Sequence, residues 1–291
     1  MTPRRHPGDA SHALTPRELI RQAAAAFREA GVPDPEFDAA ALLSHVTGQP
    51  ALLLRSDAWS ALDHDALAAF EALAARRAAR EPLQYILGSQ PFLGRAFHVD
   101  GRVLIPRPET ELLAERAIAR LRAFGPGARA LDLCCGSGCL AVSLALDAPE
   151  AQVHAADLSP DALAVTARNA DALGAALTLH QGDLFAPVAG LTFDLIVSNP
   201  PYIPTGDCPA LQAEVLREPA LALDGGADGL DFYRRIAAEA PARLTPRGVL
   251  LMEVGDGQAA PVAALLAAAG WRDTRVYPDL QGIERMVESY V

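Results

Sequence analysis

Basic residues are in short supply: 25 Lys and Arg stand against 36 Asp and Glu, for a net charge of −11. A protein that grips nucleic acid gathers Lys and Arg on one face, where they displace counterions from phosphates. The Arg4-Arg5 pair is too short a run to do this, so direct nucleic-acid binding is not expected. Cysteine is also scarce. Of the four, Cys134, Cys135 and Cys139 share one segment and Cys208 stands apart. No Cys-x-x-Cys pair and no nearby histidine accompany them, so neither a metal site nor a disulfide framework is expected. Small packed thiols in a reducing cytoplasm account for them. No run of about 18 uncharged apolar residues occurs, so no membrane span is expected. Residues 1–14 lack the apolar stretch of a secretory signal and read as a flexible extension.

A chain of 291 residues is long enough for two domains. Residues 15–81 read as helices only. Thr15-Pro16-Arg17-Glu18 is a capping box with Pro at the first helical position, and Gly31 is a natural stop. Pro35 to Gly48 carries Phe37, Ala41, Leu42, His45 and Val46 at helical spacing, with His45 read as a packed or rim residue. Asp63 to Arg80 places Leu67, Phe70 and Leu73 on one face. From 82 to 105 the runs Tyr85-Ile86-Leu87-Gly88, Phe92-Leu93-Gly94 and Phe97-His98-Val99 read as short strands between glycines, a hairpin joining two domains. Phe92 and Phe97 read as hairpin core in preference to the lining of a site. Residues 106–291 alternate helix and strand, with strands expected at Ala130–Cys134, Gln152–Ala156, Leu177–His180, Phe193–Ser198, Val249–Val254, Thr274–Tyr277 and Arg285–Tyr290. Repeated βα units of this kind build an α/β fold, a mainly parallel, Rossmann-like sheet covered on both faces.

Two motifs carry chemistry. In Leu131-Asp132-Leu133-Cys134-Cys135-Gly136-Ser137-Gly138 a strand turns into a helix, and the glycines let a ligand approach the backbone beside the helix N-terminus. The next strand ends at Asp157, where a carboxylate can accept bonds from ribose hydroxyls. After the third strand, Asp183 and Leu184 are placed to meet an adenine amino group and cover its ring. Gly136-x-Gly138-x-x-Ala141 with Asp157 also satisfies the fingerprint of a NAD-dependent oxidoreductase. Asp132 weighs against that reading, because a carboxylate there repels a pyrophosphate and attracts the cationic amino end of S-adenosylmethionine. The second motif, Asn199-Pro200-Pro201-Tyr202, ends the fourth strand, at the edge where open α/β sheets bind ligands. An amide or aniline-like nitrogen is a poor nucleophile whose N–H groups must be accepted as positive charge builds. The Asn199 side-chain oxygen and the Pro200 carbonyl can each accept one, and Tyr202 supplies a flat wall.

Asn199-Pro200-Pro201-Tyr202 resembles the motif of adenine-amino DNA methyltransferases and of glutamine-amide protein methyltransferases. Leu104-Ile105-Pro106-Arg107-Pro108-Glu109-Thr110-Glu111, Tyr85 to Gly88, Glu218-Pro219-Ala220-Leu221-Ala222-Leu223 and Asp228-Gly229-Leu230-Asp231 are similar to segments of the release-factor glutamine methyltransferases, and the likeness runs from Thr15 onward. A sister family acting on a ribosomal protein has Ser-Pro after its Pro-Arg, where this chain has Pro-Glu-Thr-Glu. A departure is Cys134-Cys135, in place of the family's usual Gly-Thr; the ribosomal sister can also carry cysteine there. The resemblance implies methyl transfer from S-adenosylmethionine to the glutamine of the Gly-Gly-Gln loop of class I peptide chain release factors, supporting translation termination. It implies that Asp132, Cys134, Cys135, Gly136, Ser137, Gly138, Asp157, Asp183, Leu184 and Asn199 hold the cofactor. The same likeness assigns the substrate to Asn199, Pro200, Pro201, Tyr202, Arg107, Glu109 and Thr110, with Asn199, Pro200 and Tyr202 catalytic. The helical domain, residues 15–81, would dock the protein substrate, with no metal required.

Overall fold

The protein was described from a computed structural model covering residues 14–56 and 62–291. The expected N-terminal extension lies outside the described residues, apart from Leu14. The chain forms two compact units, Met1–Leu87 and Gly88–Val291.

In the first unit, α1 (Pro16–Glu29), α2 (Pro35–Thr47), α3 (Ala51–Leu54), α4 (His64–Ala78) and α5 (Leu83–Leu87) follow one another. Thr15 caps α1 through a reciprocal capping box with Glu18, and Asp63 caps α4 by accepting from the Ala66 N–H. Leu19, Ile20, Phe27, Leu42, Leu43 and Phe70 meet in one apolar core, while His45 is exposed. Asp38 and Arg77 pair within that core at 2.7 Å. The run from Tyr85 is not a strand: Tyr85 to Leu87 belong to α5. Pro82 opens this turn, its carbonyl accepting from the Tyr85 and Ile86 N–H groups, and the i, i+3 pair Leu83 and Ile86 is buried.

The second unit opens with a hairpin, β1 (Ser89–Phe92) and β2 (Arg95–His98), paired antiparallel. Phe92 and Phe97 meet edge-on, 5.8 Å between ring centres, inside the core of this unit. Then come α6 (Pro108–Phe124), β3 (Arg129–Leu133), α7 (Cys139–Asp147), β4 (Gln152–Asp157), α8 (Pro160–Leu173), β5 (Thr178–Gln181), β6 (Phe193–Ser198), α9 (Asp231–Glu239), β7 (Leu244–Glu253), α10 (Ala259–Ala268), β8 (Arg272–Pro278) and β9 (Glu284–Tyr290). Among the described residues the main sheet has seven strands in the order β5-β4-β3-β6-β7-β9-β8. All its pairs are parallel except β7–β9 and β8–β9.

Alternation along the strands splits the core into two layers. Ala130, Ala155, Val197 and Leu251 pack on one face with residues of α6 and α7. Leu131, Leu133, Ile196 and Leu250 pack on the other with residues of α9 and α10. The chain runs outward from β3 to β5, then returns to lay β6 on the opposite side of β3. That reversal leaves a crevice at the carboxyl ends of β3 and β6. No helix among the described residues is long and apolar enough to cross a membrane.

The Asp38–Arg77 pair yields a test of the first unit. Arg77→Met takes the paired cation away from a buried carboxylate and should lower stability by about 3–5 kcal/mol. Chemical unfolding of the full chain measures this; a loss below about 1 kcal/mol would mean that water reaches Asp38.

Candidate active site

Parallel pairing sets Leu133 beside Ser198, so the residues that follow, Cys134 and Asn199, leave neighbouring strands side by side. The Ser198 hydroxyl ties the two strand ends together by donating to the Leu133 carbonyl at 2.8 Å.

The turn after β3 is left-handed at Cys134 (φ 60°), Gly136 (φ 54°) and Gly138 (φ 78°). A Cβ on Gly138 would stand 2.6 Å from the Thr166 methyl carbon, so only glycine fits there. Cys134 has no such freedom; a left-handed side-chain-bearing residue is strained, and Leu184 (φ 45°) repeats this across the cleft. Neighbours hold the turn in place. Asp157 accepts from the Gly136 N–H with one oxygen and from the Ser159 N–H with the other, both at 2.9 Å. Thr166 donates to the Gly136 carbonyl at 2.9 Å and Asn169 to the Ser137 carbonyl at 2.8 Å. Burial pushes the Asp157 carboxyl upward, and the N–H groups it accepts from draw it back.

Asp132 is fully buried. One oxygen accepts from the Ala141 N–H in the first turn of α7, at 3.0 Å, and the other is buried without a partner. Burial drives its pKa well up. Burial also raises the thiols of Cys134, Cys135 and Cys139, the last to about 12. That direction favours the protonated thiols.

Two cavities meet at the strand ends. A cleft with about 760 Å³ of empty space, open to solvent, is lined by Cys134, Gly136, Asp157, Asp183, Leu184, Asn199 and Pro201, with Val103, Leu104 and Phe232. A smaller one of about 370 Å³ is lined by Arg107, Thr110, Cys135, Ser137 and Cys139. Leu104, Cys134, Gly136 and Asn199 belong to both. Asp132, Gly138, Glu109, Pro200 and Tyr202 line neither cavity. Asp183 is drawn by Arg235, at 2.7 Å.

The loop after β6 is fixed from behind. Gln258 donates to the Tyr202 carbonyl at 2.9 Å and accepts from the Gly255 N–H at 3.0 Å. A Cβ on Gly225 would lie 2.7 Å from the Tyr202 Cα, and one on Gly229 2.3 Å from the Tyr202 oxygen. Bare backbone at those two positions makes room for the tetrapeptide. Glu218, buried, accepts from the Ile105 N–H at 2.9 Å and from Arg107 at 2.5 Å, fastening the segment ahead of α6. Thr110 donates to the buried Glu253 at 2.7 Å, and Asn199 donates its NH2 to the Thr110 oxygen at 3.3 Å. Burial pushes Glu253 from 4.5 up to about 7, with Glu109 adding to the rise and Thr110, Arg285 and Asn199 opposing it.

The sequence assigned no role to Glu218, though it opens a family-like segment, and gave none to Glu253, Gln258, Thr166 or Asn169. One signal was available for Glu253: an acid inside the apolar run Leu250-Leu251-Met252-Glu253-Val254, where a buried strand ends at the ligand-bearing edge.

Residues 18–88 match the PrmC N-terminal domain family and residues 109–227 the methyltransferase small domain family. The release factor glutamine methyltransferase of Geobacter sulfurreducens is 46% identical over 94% of this chain and 95% of its own. That of Cereibacter sphaeroides is also 46% identical, over 94% of this chain and 97% of its own. The chain belongs to the release factor glutamine methyltransferase family. A methyltransferase from Pyrococcus furiosus, 17% identical, superposes with a TM-score of 0.53 over 68% of this chain and 89% of its own, which shows the shared methyltransferase fold. The mostly parallel seven-stranded sheet, with antiparallel β9 inserted between β7 and β8, agrees with that fold.

A raised Glu253 makes stability depend on pH. Its folded-state value lies above its unfolded one, so its contribution is fully present below about pH 4.5 and is lost as pH rises through about 7. Glu253→Gln should therefore be more stable than the parent chain at pH 8, with the gap closing below about pH 4.5. Denaturant midpoints across pH 4–8 check this; a constant gap would mean the carboxylate is solvated.

Proposed function

We propose that this chain transfers a methyl group from S-adenosylmethionine to the side-chain amide nitrogen of the glutamine in the Gly-Gly-Gln loop of class I peptide chain release factors. The observation that carries the reading is the position of Asn199 where the two cavities join, next to the strained turn at Cys134.

The residues present fit the cofactor. The cleft offers an acid at the end of β4, an apolar surface at Leu184 and exposed backbone at Gly136, and Asp132 keeps a buried oxygen without a partner beside it. Asp157, Asp183 and Leu184 would hold the nucleoside end, and the turn from Cys134 to Gly138 the amino-acid end, with Asp132 buried behind that turn and not itself lining the cleft. S-adenosylmethionine supplies an electrophilic methyl on a cationic sulfur.

The protein's own part is orientation and charge. The Asn199 oxygen and the Pro200 carbonyl each accept one N–H of the substrate amide, so that the nitrogen lone pair is held in line for displacement. Those two acceptors stabilise the positive charge that builds on the nitrogen. Tyr202, Pro201 and the segment Arg107, Glu109 and Thr110 bound the approach. No covalent enzyme intermediate is needed. The helical unit docks the protein substrate, because one glutamine offers too little surface for selectivity. Reaction on release factors places the protein in the cytoplasm.

Asn199→Ala should leave affinity for S-adenosylhomocysteine nearly intact and cut turnover by about 100-fold or more, the scale for an oriented polar group in a transition state. Asp157→Ala should weaken S-adenosylhomocysteine binding by roughly one to two decades in calorimetry. With labelled cofactor and mass mapping, an intact release factor should be modified on its glutamine, a short loop peptide far less, and duplex DNA not at all. Label in DNA adenine, or in a ribosomal protein in preference to the release factor, would overturn the substrate.

A further inference from the structure

The Asn199 carboxamide works only one way round. With its oxygen toward the substrate it accepts an N–H; reversed, its own NH2 confronts the substrate NH2 and no hydrogen bond forms. Nothing in an isolated asparagine selects between the two, since oxygen and nitrogen are almost the same size. Something behind it must select.

We propose that Glu253 and Thr110 are positioning residues that fix the orientation of the Asn199 amide. The argument is one of donors and acceptors. An ionised carboxylate can only accept, so the Thr110 hydroxyl, 2.7 Å from Glu253, spends its single hydrogen there. The Thr110 oxygen is then left with lone pairs alone. The group facing it, 3.3 Å away, is the Asn199 side chain, which must present its NH2. The carboxamide oxygen is thereby turned away from Thr110, toward the junction of the cavities. Glu253 also draws the Asn199 side chain to itself by a hydrogen bond, so both contacts call for the NH2 and the carboxylate sets the polarity of both.

The relay is well built for this. Glu253 and Thr110 are 3% and 2% exposed, so water does not compete for either bond. The Tyr233 hydroxyl donates to the Glu253 carbonyl at 2.9 Å, fixing the backbone at the strand end. Glu109 on α6 and Tyr202 on the loop after β6 share the Glu253 environment, with Arg285 on β9 as the neighbouring cation. A protonated Glu253 can donate to Thr110, whose hydrogen is then free to turn to the Asn199 oxygen. Protonation therefore removes the selection, and burial places that event at about pH 7.

The inference rests on the proposed methyl transfer to an amide, and its test has an arm that does not. Using the full chain, labelled S-adenosylmethionine and an intact class I release factor, kcat should fall about tenfold or more in Thr110→Val and in Glu253→Met. The double variant should fall no further than the worse single one, because both break the same chain. Thr110→Ser should recover most of what Thr110→Val loses, and S-adenosylhomocysteine affinity should stay within about threefold throughout, showing an intact fold. The parent kcat should drop on the acid side of about pH 7, and that limb should be absent in Glu253→Met. The arm independent of substrate follows the side-chain NH2 resonances of Asn199 by NMR, assigned with Asn199→Ala. They should titrate near pH 7 in the parent and stay flat in Glu253→Met. Resonances that do not titrate, or additive losses in the double variant, would overturn the relay whatever the substrate proves to be. A relay that titrates in a chain that labels no glutamine would instead overturn the substrate assignment.

Discussion

The active-site architecture depends on one pairing, that of β3 with β6. Because the strands run parallel and in register to Leu133 and Ser198, the glycine turn and the tetrapeptide emerge at one height from adjacent strands. A register slip of one residue would send every apolar side chain of β6 to the opposite face. The burial of Leu195, Ile196 and Val197 in alternate layers forbids that slip. Hydrophobic packing thus enforces a polar geometry a few ångströms beyond where the packing ends. The Ser198 hydroxyl on the Leu133 carbonyl adds a direct tie at the point of divergence.

What this arrangement costs is concentrated in a small volume. Two residues bearing side chains are left-handed, Asp132 keeps an oxygen without a partner, and Glu253 is a carboxyl out of water. Each feature destabilises by itself, with strained backbones alone costing about 1–3 kcal/mol apiece. They persist because rigid neighbours surround them. Thr166, Asn169 and Asp157 brace the turn, Gln258 and two glycines seat Tyr202, and Glu218 holds the strap ahead of α6. Regular structure far from the site supplies the stability that the site gives up.

Much of this was legible in the residues because it follows from local chemistry. The near-continuous apolar run Phe193–Ser198 reproduces as β6 to the residue, and the caps at Thr15 and Asp63 form as their side chains dictate. The run Tyr85 to Gly88 misled, since aromatic and branched residues favour strands, but Pro82 and the pair Leu83 and Ile86 made a helical turn. The strand expected from Val249 begins at Leu244 instead; Pro246 and Gly248 are poor strand formers, and the pairing with Phe193 carries a register irregularity. Cys134 stood out as a side chain where a glycine is usual, and the backbone there is left-handed all the same. The partners of Glu218 and Glu253 were not legible. Ile105 and Glu218 lie 113 positions apart, and Thr110 and Glu253 143; no local pattern links them.

The acids also prepare the site for a cation: burial raises Asp132, Asp157 and Glu253, and a positive charge nearby would draw each back toward its ionised form. Asp132 and Glu253 are withdrawn from water behind the cavities, Asp157 lines the open cleft half-buried, and Asp183 stands at its rim. An interior set of carboxyls is poor company for a phosphate and good company for a cation. On the proposed reading, both reacting partners bring positive charge: the methyl donor arrives positively charged, and the amide nitrogen becomes positive as the new bond forms. Net charge bears on a phosphate-gripping surface only as an average over the molecule. The acids bear on the donor's charge and on the charge that forms at the nitrogen, whatever the outer surface of the molecule carries.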